Sequence, residues 1–149
     1  MADGACKHSL PSLTKTGAEA TDATMWMTFL QVGLGGAIGS MLRFGVGLAL
    51  APQAGGGFPL GMLPVNVVGS FLMGMVVVYT FNKDVTHLNP LLMAGVLGGF
   101  TTFSAFSLEA FTLYERGAVG TAALYVVASV SLSILGLVLG VWLARSMWA

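Results

Sequence analysis

Charge is what this chain has least of. Only 8% of its 149 residues are Asp, Glu, Lys or Arg, six acidic and six basic, so the formal net charge is zero. Without a basic cluster there is no electrostatic footprint for nucleic acid, and without an acidic run there is no cation sponge. Cysteine is nearly absent as well. Cys6 has no second cysteine to form an intrachain disulfide, and no Cys/His grouping has metal-ligand spacing. The sequence contains no nucleotide-binding loop and no soluble domain to drive active pumping. It also has no nucleophile–base pair or metal cluster to suggest an enzyme.

Apolar residues take the place of everything missing. At 56% hydrophobic the chain is too greasy for a soluble domain, and at 149 residues it is too short for two ordinary ones. The composition predicts an all-α integral membrane protein. Residues 1–25 differ, mixing Ser, Thr, Lys, Asp and Glu with no apolar stretch long enough for a signal-peptide core. They are expected to form a disordered polar tail, leaving 26–149 as the transmembrane domain.

Four apolar stretches, about 27–50, 60–81, 90–114 and 118–143, are each long enough to cross a bilayer as a helix. An uncharged Pro/Gly turn, a hairpin carrying Lys83, Asp84 and His87, and the turn Glu115-Arg116-Gly117 separate them. Gly35 and Gly39, Gly69, Ser70 and Gly74, and Gly136 and Gly140 stand at spacings that let helix backbones approach closely.

Polar residues inside these stretches are the candidates for function. The run Gly98-Gly99-Phe100-Thr101-Thr102-Phe103-Ser104-Ala105-Phe106-Ser107 lies in the middle of the third. A backbone opened in hydrocarbon must meet protein, water or an ion, so a helix break at Gly98-Gly99 predicts an ion pathway. Hydroxyls interleaved with phenyl rings suit a small anion, because a hydroxyl donates and a ring edge carries the positive part of the quadrupole. Asn66 needs hydrogen-bond partners in mid-membrane and is either interhelical glue or an ion contact. Glu109 is either a functional carboxylate or a hydrogen-bonded or protonated one buried in the bundle. Arg43 either snorkels to the headgroups or serves a pore mouth. Tyr125, Ser129 and Ser133, four apart, trace a polar stripe along one face of the last helix.

Four spans put both termini on one side. That side carries Lys83 and Arg145, and the other carries Arg116 and, depending on where the first span ends, Arg43. Positive-inside bias is almost absent, which predicts insertion in both orientations and antiparallel pairing.

Three stretches, Gly35-Gly36-Ala37-Ile38-Gly39-Ser40-Met41-Leu42-Arg43-Phe44, Val65-Asn66-Val67-Val68-Gly69-Ser70-Phe71 and Gly98 to Ser107, resemble the signature motifs of the Fluc (CrcB) fluoride channels. The resemblance covers about residues 27–145. It implies an antiparallel, dual-topology homodimer in the cell inner membrane, with a third helix broken mid-membrane and two pores each lined by both chains. Phe103 and Phe106 match the paired pore phenylalanines, Asn66 the pore asparagine, and Tyr125, Ser129 and Ser133 the polar track. Thr102 and Ser107 match hydroxyl neighbours, and Arg43 matches the vestibule arginine. The carbonyls of Gly98 and Thr101 match those that hold a structural sodium ion between the subunits. The implied activity is passive, electrogenic fluoride efflux that protects against fluoride toxicity. Implied partners are fluoride, a second copy and membrane lipid, with no nucleic acid.

The chemistry of the residues agrees with that implication. Fluoride is tightly hydrated, so a pore must replace its water with donors, and a lysine or arginine in the narrow part would hold it too firmly to leave. The rival from another class is a small dual-topology, proton-coupled multidrug exporter. It would be expected to carry an acidic residue in the first span, and residues 27–50 contain none. A membrane scaffold without transport is the third reading, favoured if Asn66, Phe103 and Phe106 merely pack.

Overall fold

The computed structural model describes residues 13–50 and 61–148, with side chains described from residue 22 onward, and everything in it is helix or short connection. Helix α1 spans Leu13–Leu50, so its backbone is helical through residues 13–25 of the stretch expected as polar tail. Residues 1–12 and the Pro/Gly turn lie outside the described residues. Helix α2 is Met62–Asn82. A π-helical segment, Pro90–Leu97, runs directly into α-helical Gly98–Phe100, and we call the two together α3. Helix α4 is Phe103–Glu115 and α5 is Val119–Trp148. Four stretches are long and apolar enough to cross a membrane: Asp22–Leu50, Met62–Asn82, Thr86–Glu115 and Val119–Trp148.

Glycine decides how these helices pair. A Cβ at Gly35 would strike the Leu91 carbonyl, one at Gly39 the Val96 carbonyl and the Phe100 nitrogen, and one at Gly99 the Gly36 carbonyl, so α1 lies backbone to backbone on α3. Gly74, Gly136 and Gly140 do the same between α2 and α5. Along both seams residue numbers rise together, Gly35 and Gly39 with Gly95 and Phe100, Val67 and Phe71 with Gly136 and Gly140. Each pair therefore runs parallel, as alternate spans of a four-span chain must. Close backbone approach replaces the hydrophobic drive that lipid cannot supply.

Between α4 and α5 the chain reverses at Gly117, whose φ of 77° is the left-handed geometry glycine adopts without strain. This tight return lays α4 on α5, where Phe106, Leu113, Ala122 and Tyr125 form a buried cluster with Leu63 and Ala110 against it.

The third span departs from expectation in one respect. Gly98 is helical, at φ −66° and ψ −36°, and the backbone instead turns extended at Thr101 (ψ 151°) and Thr102 (φ −151°, ψ 125°). Gly99 is occupied in packing against Gly36, whereas β-branched threonines fit extended backbone. The discontinuity therefore lies on the Thr-Thr pair rather than on the glycines.

Candidate functional site

A groove of about 340 Å³ opens where α2, α4 and α5 meet beside this extended pair. Thr102 lines it. Its hydroxyl accepts from the Ala105 N–H at 3.4 Å and so caps α4, and it lies 3.1 Å from the Ser104 hydroxyl. Its main chain is held from α2: the Thr102 N–H donates to Asn66 Oδ1 at 3.0 Å, and Asn66 Nδ2 donates to the Thr102 carbonyl at 3.3 Å. A carboxamide has two N–H donors, so Asn66 keeps one for the groove it lines. Both readings of Asn66 are thus compatible with one side chain: it is glue through two groups and still has a donor left over.

These bonds have a further effect on the chain before the break. In a continuous helix the Thr102 N–H would bond to the Gly98 carbonyl and the Ala105 N–H to the Thr101 carbonyl. Both donors are committed elsewhere, to Asn66 Oδ1 and to the Thr102 hydroxyl. The Gly98 and Thr101 carbonyls consequently lack the helical donors due to them.

Rings and hydroxyls line the rest of the groove. Phe103 and Phe106 sit with centroids 5.4 Å apart, and Phe106 continues to Tyr125 at 5.5 Å. The two rings differ sharply in cover, Phe106 being 7% exposed and Phe103 78%. Ser129 and Ser133 enter from α5. Ser129 is 3% exposed, and its Oγ is buried without a hydrogen-bond partner. An orphaned buried hydroxyl is costly, and a polar ligand in the groove would relieve it.

Tyr125 is fully buried and stands one turn deeper than Ser129, outside the groove lining. Its hydroxyl donates to Glu109 Oε2 at 2.6 Å, and the same oxygen accepts from the Met62 N–H at 3.3 Å. Gly61, at the head of α2, has no side chain to cap that helix, and a Cβ there would strike Glu109 Oε1. Glu109 therefore supplies the missing cap from α4. Of the two readings of this carboxylate, the geometry favours the hydrogen-bonded one.

Two expected residues are not gathered in. Ser107 is exposed on α4 and returns its hydroxyl to the Phe103 carbonyl at 2.9 Å. Arg43 is half-buried on α1 and does not line the groove. Conversely, Ser70 and Met73 line it from α2. The sequence reading groups Ser70 with the packing residues, although its place four residues after Asn66, on the same helical face, is the signal that reveals it.

Known proteins resemble this chain over most of its length. A family profile described as "CrcB-like protein, Camphor Resistance (CrcB)" matches residues 30–141. The chain is 66% identical over 95 residues, 64% of its own length and 90% of the other's, to the Fluoride-specific ion channel FluC of Jannaschia sp. (strain CCS1). To the protein of the same name from Ruegeria sp. (strain TM1040) it is 57% identical over 122 residues, 81% of this chain and 97% of that one. The Roseobacter denitrificans protein, again a Fluoride-specific ion channel FluC, is 50% identical over 123 residues, 81% of this chain and 98% of that one. With three quarters of its length inside the profile, groove and discontinuity included, this multi-pass membrane chain belongs to the CrcB-like family.

Proposed function

We infer that the chain forms a fluoride-selective channel through which fluoride runs passively down its electrochemical gradient, protecting the cell from the ion. It is not an enzyme. The observation that carries this reading is the convergence, in one groove, of the spare Asn66 N–H, the Phe103 and Phe106 rings, and the Ser129 and Ser133 hydroxyls. Such a set offers donors and ring edges to a small anion without a fixed cation to trap it. In this reading Thr102 lines the pathway beside Asn66, Tyr125 backs the Phe106 ring from outside the groove, and Ser107 and Arg43 belong to the approaches.

The working unit in this reading is an antiparallel dual-topology homodimer with the Thr101-Thr102 discontinuity at mid-membrane. What supports it is exposure. No more than 17% of any spanning window is buried within the single chain, and Phe103 is bare although its neighbour Phe106 is enclosed. A second copy would close the open side of the groove over Phe103.

The same reading includes a structural sodium ion between the subunits. Among the described residues no three His, Cys, Asp or Glu side chains are grouped to hold a metal, so backbone oxygen is the donor on offer. The Gly98 and Thr101 carbonyls, deprived of their helical donors, are hard neutral oxygens that fit a hard monovalent cation. When bound, that ion would supply positive charge to tie two broken helices together. Replacing sodium by N-methylglucamine should lower the thermal midpoint of the purified protein, and an unchanged midpoint would count against the site.

The test of function is fluoride efflux from liposomes containing the purified protein, with a potassium ionophore to carry the balancing charge. Fast, ionophore-dependent fluoride efflux without chloride efflux is expected. Its absence from folded protein would sink the reading.

A further inference from the structure

We propose that Ser70 is a further contact for the permeating ion, carrying the polar path one helical turn beyond Asn66; the inference rests on the channel reading above. It comes from asking where each hydroxyl of the spans is used. Thr28, Thr101, Ser107 and Thr112 each donate to the carbonyl four residues back, at 2.7–3.0 Å. That is how a membrane helix normally silences a hydroxyl. Ser70, Ser129 and Ser133 do not follow the pattern. Among the described residues Ser40, Thr121 and Ser131 also make no such bond, and what sets Ser70, Ser129 and Ser133 apart is that they line the groove. Outside water, an unused hydroxyl is unfavourable unless something in the groove accepts from it.

Position makes Ser70 more than a small residue at a seam. It lies on the face of α2 that carries Asn66, about 6 Å further along the axis at four residues of helical rise. Gly69 beside it lets α2 approach Thr101 and Phe100, because a Cβ there would strike the Thr101 methyl. The seams of Val67 with Gly136 and Phe71 with Gly140 set Ser133 near the level of Asn66 and Ser70 about a turn beyond both. A fluoride held between the Asn66 amide and the Ser133 hydroxyl therefore meets the Ser70 hydroxyl next along the groove and can exchange donors without regaining its water.

The experiment compares initial fluoride efflux from liposomes for the parent protein, Ser70→Ala, Ser70→Cys and Thr112→Ala, all in a Cys6→Ser background. Removing one hydrogen bond to an ion slows passage roughly tenfold, so Ser70→Ala should fall by about that factor while Thr112→Ala matches the parent. Ser70→Cys should still conduct and be blocked by silver ion, which a thiol outside the ion path would not permit. Ser70→Ala at the parent rate, or Ser70→Cys conducting indifferently to silver, overturns the inference and leaves the channel reading standing. A parent protein that moves no fluoride overturns both.

Discussion

Asn66 and Thr102 hold each other through two hydrogen bonds, 3.0 Å from the Thr102 N–H to Oδ1 and 3.3 Å from Nδ2 to the Thr102 carbonyl. The side chain completes the backbone of a residue 36 positions away, at the point where the third span leaves the helical region. Asn66→Ala strips the partners from both backbone groups of half-buried Thr102, and at about 1–3 kcal/mol per unsatisfied group it should cost about 2–6 kcal/mol of stability. Asn66→Asp keeps the acceptor, loses the donor and puts negative charge on the groove. It should fold better than the alanine variant yet conduct no better, as thermal melts and efflux measured side by side would reveal.

Phe106→Ile keeps roughly the volume of the ring and discards its polarised edge. The ring lies between Phe103 and Tyr125 at 5.4 and 5.5 Å, so losing both aromatic pairs should cost about 1–3 kcal/mol. Fluoride efflux should be abolished or sharply reduced in protein that still elutes from a sizing column like the parent. Unchanged efflux would remove the ring from the mechanism.

Glu109→Gln separates a channel from a proton-coupled exporter. The carboxamide can still accept from the Tyr125 hydroxyl or the Met62 N–H, so the link between α4, α5 and the head of α2 weakens by about 1–2 kcal/mol without breaking. Fluoride efflux should persist. Complete loss of transport in folded protein would favour a carboxylate that exchanges protons.

Gly39→Ala and Gly33→Ala test the seam between α1 and α3. A methyl at Gly39 meets the Val96 carbonyl and the Phe100 nitrogen, whereas one at Gly33 has nothing within 4 Å. Overpacking of this kind costs about 1–3 kcal/mol, so the yield and melting point of Gly39→Ala should drop while Gly33→Ala behaves as the parent.

The spans were legible in the sequence because twenty apolar residues in a row have few other uses, and the glycine pairs marked the seams that the structure uses. Gly98-Gly99 misled because glycine signals both a break and a close approach, and only the position of α1 reveals that for Gly99 it is the second. Thr102 carried a local sign of the true break, a threonine able to cap the helix after it. Its bond to Asn66 joins different spans, and no spacing rule announces that. The two readings of Glu109 were likewise undecidable until Gly61 was seen to leave α2 without a cap of its own. Ser70 was hidden by its small size, which suits a seam as well as a pore.

The discontinuity at Thr101-Thr102 has an electrostatic consequence. Peptide dipoles add along a helix, leaving about half a positive charge at its N-terminus and half a negative charge at its C-terminus. Where α3 stops at Phe100 and α4 starts at Phe103, one end of each sign is brought within three residues. Thr102 and Phe103, which line the groove, stand at the positive end, and the carbonyls of Gly98 and Thr101 stand at the negative one. A single interruption can thus draw an anion to one side and a cation to the other, without placing a charged side chain beside either.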